Sequence, residues 1–390
     1  MDASRTIEAA TSQLRKYIEA HRYKGYDPYD ALKSPLFKLP LLNKNKLIRF
    51  GAQQLVKRSP LNLRTLLFVP KGLNPVTLGL CIQAYAQLIH VNQQEKNVLN
   101  QNISNLINEL EKLIPKGFHG ACWGYDFDWE ARYANIPAYQ PTVVATGIIT
   151  NALFIAWQQT GNQKAFDLCK SAANFVLQDL NRTTDSDGSF CFSYSPFDKQ
   201  VVFNASMKGS RLLSQVYSVT KDETLKKAAA DSVAFVMKHQ RADGAWIYST
   251  SDAGTWIDNY HTGYVLDCLH EYVLHCDDKT YNENLEAGKK FYINNFFLEG
   301  HIPKFYNNNV FPVDCTAAAQ SLLTLTRFDE QTLAIKVAEY MLENMQHSKG
   351  YFYFRKYKNY TEKTSFMRWS NAWMFAGLTA VLQSQCAHRQ

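Results

Sequence analysis

A unit of helix, glycine-and-aromatic turn and helix recurs along this sequence, and it limits the possible folds more than any other feature. The turns read Gly25-Tyr26-Asp27-Pro28-Tyr29, Cys122-Trp123-Gly124-Tyr125, Asp187-Gly188-Ser189-Phe190, Asp243-Gly244-Ala245-Trp246, Pro303-Lys304-Phe305-Tyr306 and Gly350-Tyr351-Phe352. From the second turn to the fourth, the reference glycines Gly124, Gly188 and Gly244 are 64 and 56 residues apart. A helix pair of this size cannot bury its apolar face alone and must stack on neighbours. Six such pairs can close a ring around a central funnel. The expected fold is all-α, an (α/α)6 toroid of six helical hairpins, with residues 1–390 as a single domain.

The hydrophobic pattern agrees. Phe166, Cys169, Ala173, Val176 and Leu177 recur at helical spacing, as do Leu225, Ala229, Val233, Val236 and Met237, and Ala334, Val337, Met341, Leu342 and Met345. These amphipathic helices are expected on the outside. After each turn a more uniformly apolar helix begins, at 141–158, 205–219, 262–274, 316–326 and 371–384, and these are expected to line the inside. The first unit is longer: a helix at 6–21, the Gly25 turn, an inserted segment at about 36–69, then an inner helix at 76–88. The second unit pairs 98–113 with 141–158. Pro75 and Pro141 suit first helical turns. The short connections Thr160-Gly161-Asn162 and Thr220-Lys221-Asp222 suit antiparallel pairs.

Composition narrows the partners. Hydrophobic residues make up 46% of the chain, ample for a large core, and charged residues 20%. The net charge of +7 reads as a mild excess spread over a large surface, and no nucleic-acid partner is expected. The nearest basic run, Phe354-Arg355-Lys356-Tyr357-Lys358-Asn359-Tyr360, reads as a solvated loop, with contact to an anionic substrate as the alternative. No stretch of about 20 apolar residues is available to span a membrane. The eight cysteines form no Cys-x-x-Cys pair and read as reduced core residues. Residues 1–20 lack the apolar core of a signal peptide, so a cytoplasmic location is expected. No zinc-type histidine pattern, phosphate loop, dinucleotide fingerprint or serine elbow occurs, and neither metal nor cofactor is expected.

In such a ring the inner helices all point the same way. The loops before them converge on one mouth, where helix N-termini supply free N–H groups and partial positive charge. Unit two brings Trp123, Tyr125, Asp126, Asp128, Trp129, Arg132 and Tyr139 there, and unit three Tyr194, Asn204 and Lys208. Unit four brings Trp256, Asp258, Asn259, Tyr260 and His261, unit five Lys304, Tyr306 and Asp314, and unit six Arg368, Trp369 and Asn371. Tyr260 and His261 are the candidate acid/base residues, because imidazole exchanges protons at about neutral pH. Asp126, Asp128 and Asp258 are candidate catalytic carboxylates, which glycoside hydrolysis uses in pairs. Trp123, Trp129, Trp256 and Trp369 can stack on sugar rings. Arg132, Tyr139, Lys208, Asn259, Asp314 and Arg368 can hold hydroxyls or a carboxylate. Some have a structural alternative: Trp123 and Trp129 packing a repeat joint, Asp126 and Asp128 capping a helix or pairing with Arg132, and His261 bonded at a helix start. Asp267 and His270 lie deeper and are expected to be structural.

Gln240-Arg241-Ala242-Asp243-Gly244-Ala245-Trp246 resembles the Gln…Gly…Trp repeat of terpenoid-cyclase and prenyltransferase toroids, and Gln346-His347-Ser348-Lys349-Gly350-Tyr351-Phe352 is a looser copy. The resemblance covers repeat joints and implies the six-hairpin fold; the clustered aspartates of the cyclases are absent. The strings at 25–30, 117–129 and 256–267 are similar to a poorly characterised bacterial α/α-toroid group that often accompanies surface-polysaccharide genes. Tyr260-His261-Thr262, following Trp256, also resembles part of the glucuronyl C5-epimerase helical domain, which implies proton transfer by Tyr260 at a sugar carbon next to a carboxylate. Lys208, Arg132 and Arg368 would then neutralise the uronate.

The expected activity is that of a carbohydrate-active enzyme working on a bacterial surface polysaccharide or its precursor. Either lyase- or epimerase-like proton abstraction or glycoside hydrolysis would serve. The alternatives are a toroid that binds a glycan or protein without turnover, and an isoprenoid-processing toroid with an apolar aromatic funnel.

Overall fold

The computed structural model describes residues 3–130, 135–251 and 254–388. Helix α1 (Ala3–Ala20) comes first, and α2 (Pro40–Asn43) and α3 (Lys46–Arg58) lie in the inserted segment. Inner and outer helices then alternate: α4 (Pro75–Val91), α5 (Lys96–Lys112), α6 (Val143–Thr160), α7 (Gln163–Gln178), α8 (Phe203–Thr220), α9 (Glu223–Met237), α10 (Asn259–Cys276), α11 (Asn282–Phe296), α12 (Cys315–Arg327), α13 (Gln331–Met345) and α14 (Trp373–Ala387). The even-numbered helices from α4 to α14 pack side by side in a circle, and α14 returns onto α4. The molecule is an α/α toroid.

The pairing differs from the expected units in one respect. Each inner helix packs most closely on the outer helix that follows it, α4 on α5, α8 on α9 and α12 on α13, through the short connections. The glycine-aromatic turns link one hairpin to the next. The last hairpin is therefore made by the two ends of the chain, with α1 packed on α14.

Burial explains which helix goes where. Every residue of α6 from Val143 to Phe154 is buried, so it needs protein on all sides. On α5 only Leu99, Ile103, Leu106, Ile107 and Leu110 are buried, one helical stripe with polar residues opposite. Burying each such aliphatic side chain contributes roughly 1.5–3 kcal/mol. Helix starts are set by caps. Thr142 accepts from the Ala145 N–H (3.1 Å), Asp258 from the His261 N–H (3.0 Å), and Asp314 from the N–H groups of Thr316 (2.9 Å) and Ala317 (3.1 Å). The Asp258 cap starts α10 three residues before the expected 262.

Two kinds of joint repeat around the ring. The Gln240 amide donates to the Gly244 carbonyl (2.9 Å) and to Asn284 O at the next outer helix (2.9 Å). Gln346 does the same to Gly350 O (3.2 Å) and to Ala10 O of α1 (3.2 Å). The looser copy of the motif thus makes the same joint. A Cβ at Gly244 would stand 2.4 Å from Ala287 O, and φ is +90° there, so the turn requires glycine. At the other joint, the N–H at or just before the start of an inner helix donates to a carbonyl of the following turn. The bonds are Val143 to Tyr194 (3.0 Å), Phe203 to Tyr248 (3.4 Å), Asn259 to Phe305 (2.9 Å), Cys315 to Phe354 (3.1 Å) and Met367 to Tyr26 (3.0 Å). Every acceptor is aromatic, so the ladder that closes the ring also sets a circle of aromatic residues at its mouth.

Candidate active site

Tyr29, Tyr125, Tyr194, Tyr248 and Tyr260 are half-buried, yet burial pushes all of their phenols above the ordinary tyrosine value, Tyr29 to about 12. Side chains this deep that still reach solvent line a concave surface. Their rings form one wall. Trp129 lies 5.7 Å from Tyr194, Tyr125 stacks on Phe127 at 5.5 Å, and Tyr29 meets Trp369 at 5.7 Å. Tyr260 meets Trp369 at 5.8 Å and Phe305 at 5.7 Å, and Tyr248 stacks on Trp256 at 4.5 Å.

His261 sits in this wall at the first turn of α10, its ring 4.5 Å from Tyr248 and 3.9 Å from Tyr260. Its Nδ1 is 2.7 Å from Asp258 Oδ2, which also accepts the Trp256 indole N–H at 2.8 Å. A carboxylate at Nδ1 keeps the proton there, which leaves the Nε2 lone pair as the acceptor. Among the described residues neither Nε2 nor the Tyr260 hydroxyl has a hydrogen-bond partner. A cavity of about 10 Å³, room for one water, lies beside His261, Tyr248, Trp256 and Asp258.

The arginines around the cleft are each paired with a carboxylate, and two lysines are buried beside it. The Arg368 guanidinium grips Asp27 at two points and lies 4.8 Å from the Tyr125 ring centre and 4.9 Å from Trp369. Arg355 donates to Asp314 at 2.6 Å and lies over Phe305. The Lys57 ammonium donates to the Tyr29 hydroxyl at 2.6 Å; burial, and then the nearby Arg355 charge, lower it to about 7. Lys208 lies 3.4 Å from the Tyr264 ring centre, and burial, then Arg211, lower it likewise to about 7.

The other residues singled out from the sequence fall elsewhere. Trp123 is fully buried and its indole donates to Leu110 O at 2.8 Å, as Trp246 does to Val236 O at 3.2 Å. Both tryptophans lock a turn onto the preceding outer helix, so Trp123 is a joint residue. Asp126 accepts from Lys33 (2.7 Å) and Asn74 (2.8 Å). Asp128 accepts from Arg49 (3.2 Å) and the Ala138 N–H (2.9 Å). These carboxylates do pair with cations, but the cations come from the first unit and its insertion. Arg132 lies outside the described residues. Tyr139 is exposed, with Asp126 and Lys33 as its charged neighbours. Asn259 is buried, accepting from Tyr292 and Ser321 and donating to Lys304 O, and so braces the ring. Asn371 is likewise buried, on the Phe352 N–H.

Sequence reading placed no residue of the first unit at the mouth, yet Asp27, Tyr29 and Lys57 are there, with Tyr248, Tyr264 and Arg355. Asp27 and Tyr29 follow a turn glycine, as the other mouth residues do. Tyr248 and Phe354 stand four residues beyond Gly244 and Gly350. Arg355 turns inward from the run that reads as a solvated loop. The inserted segment is fastened to the rim of the mouth at the first and second turns. Arg49 ties α3 to Glu130 (3.0 Å) and Asp128, and Gln53 donates to both Tyr29 O and Asp128 O (2.8 Å each). Buried Arg64 holds Asp30 at 2.6 Å.

No family model matches this chain, and no curated protein matches it by sequence. Among solved structures, an unsaturated glucuronyl hydrolase specific for heparin superposes with a TM-score of 0.64 at 14% identity, covering 100% of this chain and 98% of the other. The cellobiose 2-epimerase of Bacillus thermoamylovorans gives 0.62 at 12% identity, covering 80% and 88%. A family 76 α-mannanase from Bacteroides thetaiotaomicron gives 0.57 at 14% identity, covering 80% and 87%. At these identities the likeness is one of fold.

Proposed function

We propose that this protein is a carbohydrate-active enzyme that moves a proton at a sugar carbon next to a carbonyl or carboxylate. His261 Nε2 removes the proton, and the electron pair passes into the adjacent C=O. The Tyr260 hydroxyl, held protonated by burial, donates to the oxygen on which charge develops. Returning a proton from water to the other face, with His261 releasing its own to solvent and Tyr260 recovering its own from the oxygen, gives an epimer. Expelling a substituent from the next carbon gives an unsaturated sugar.

The observation that carries this reading is the Asp258–His261 pair, with Nε2 and the neighbouring phenol both unpartnered in an aromatic cleft. Hydrolysis needs a free acid and a free carboxylate about 5–10 Å apart. Here Asp27, Asp258 and Asp314 have their oxygens occupied by N–H donors. The fold neighbours support a sugar substrate, since they include both epimerases and hydrolases of carbohydrates. Arg355 and Arg368 at the wall, each already holding a carboxylate, with Lys57 as a further cation below about pH 7, favour a polar, anionic sugar and count against an apolar isoprenoid funnel. The resemblance to toroids near surface-polysaccharide genes makes a glycan of that class, or its precursor, the substrate we favour.

The test is a panel of reducing sugars and uronic acids incubated with the protein in D2O and followed by NMR. With wild type either deuterium should enter one sugar carbon or an unsaturated sugar should form, and with His261→Gln neither should occur. Release of new reducing ends with neither deuterium at carbon nor an unsaturated product would mean hydrolysis. Saturable sugar binding with neither change would mean a binding module.

A further inference from the structure

The inserted segment has a composition unlike the rest of the molecule. Residues 36–69 contain Lys38, Lys44, Lys46, Arg49, Lys57, Arg58 and Arg64 and no Asp or Glu. The remainder of the chain, with 35 basic and 35 acidic side chains, is neutral, so this segment holds the entire net charge of +7. Arg49, Lys57 and Arg64 are turned inward, and Lys38, Lys44, Lys46 and Arg58 are exposed beside the mouth with no acid of the segment to offset them. The same residues expose Leu36, Leu39, Leu47, Ile48, Leu55, Leu61, Leu66 and Phe68, from 40% to 80% accessible, whereas the other nine exposed large hydrophobics are spread over the rest of the described chain.

The two faces of α3 are used differently. Arg49, Gln53, Val56 and Lys57 face the toroid, where Arg49, Gln53 and Lys57 make the bonds described above. Leu47, Leu55 and Arg58 face away, and a shallow groove of about 450 Å³ opens along Gln54, Leu55, Arg58, Ser59 and Pro60. Lys38, Lys44 and Lys46 are exposed as well. Exposed aliphatics interleaved with exposed cations are the surface chemistry of a segment that lies in the headgroup region of an anionic bilayer.

We propose that residues 36–69 dock the protein on an anionic membrane surface, with the mouth of the cleft turned toward the lipid. A second copy of this chain is the less suitable occupant. A twofold contact sets the same patch against itself, and this patch would bring cations against cations with no carboxylate of its own to pair them. A nucleic acid would satisfy the charge but leave the eight apolar side chains in water. The proposal does not depend on the reaction carried out in the cleft.

The test is cosedimentation of the full chain with phosphatidylcholine vesicles, with and without about 30% phosphatidylglycerol. Binding is expected only to the anionic vesicles, weakening as salt rises from about 0.1 M to about 0.5 M. Leu47→Ser with Leu55→Ser and Leu61→Ser should weaken it about tenfold, as should Lys44→Glu with Lys46→Glu and Arg58→Glu. All six sites are exposed, and circular dichroism should report an unchanged fold. Three results would overturn the proposal. One is folded protein that ignores anionic vesicles at low salt. Another is vesicle binding that the serine variant leaves intact, which is charge attraction alone. The third is a dimer that the serine variant dissociates, without vesicle binding, which makes the segment a self-interface.

Discussion

Asp27 and Arg368, 341 residues apart, form a two-point ion pair, Nε to Oδ2 at 2.6 Å and Nη2 to Oδ1 at 2.9 Å, with both side chains almost fully buried. The pair fastens the first turn to the π-helical turn Met367–Ala372 that leads into α14, where the toroid closes. Asp27→Ala would strand a buried guanidinium and should cost about 3–5 kcal/mol. Asp27→Leu combined with Arg368→Met should cost less than the sum of the single changes. Thermal unfolding of the four proteins measures the coupling.

Lys208 gives the fold a signed pH dependence. Burial, with Arg211 alongside, lowers its ammonium to about 7, below the ordinary lysine value of 10.5. Between those values the unfolded chain binds more protons than the folded one, so stability rises with pH across that window. The loss is nearly complete by about pH 7, below which the ammonium is charged in both states and the slope vanishes. From pH 7 to about pH 9, below the tyrosine range, this group should add up to about 2 kcal/mol. Lys208→Met should flatten that slope in denaturant titrations run at several pH values.

Acid/base roles predict a split between turnover and binding. His261→Gln and Tyr260→Phe should each lower turnover by about 10²- to 10⁴-fold with sugar affinity little changed. Asp258→Asn should also lower it, because the amide no longer fixes the proton on Nδ1. The last variant keeps an oxygen for the α10 cap, so its melting temperature should move little. Steady-state kinetics alongside equilibrium binding separates the two effects.

Arg49 should control the inserted segment without controlling the ring. It bonds Glu130, Asp128 and Asn43, so Arg49→Ala releases α3 and leaves Glu130 buried without its cation. Hydrogen exchange should quicken in α3 and leave α6, α10 and α12 unchanged.

The ring was legible because each of its signals is local. The turn glycines and stripes such as Phe166-Cys169-Ala173-Val176 act within one or two turns of chain, whereas Asp258 and Asp314, read as site carboxylates, also cap helices in the structure. The Gln240 and Gln346 motifs were readable for the same reason. A place at the mouth was legible where a residue stands at the start of an inner helix, as Asp258, His261 and Trp369 do. Reading failed where the partner is distant. Asp126 and Asp128 look like free acids until Lys33 and Arg49 are folded onto them from the first unit. Trp123 and Trp129, six residues apart, part company because one indole reaches Leu110 O and the other ring meets Tyr194. Lys57 and Arg355 reach the cleft from an insertion and a hairpin whose direction no spacing rule supplies.

The most direct measurement is a crystal structure of His261→Gln soaked with a sugar that the wild-type protein turns over. The sugar ring should lie against Trp369 and Tyr29, with the exchanging carbon facing position 261 and the negative group toward Arg355 or Lys57. A sugar bound outside the ring of Tyr194, Tyr248 and Tyr260, or one whose reactive carbon faces away from position 261, contradicts the proton-transfer site.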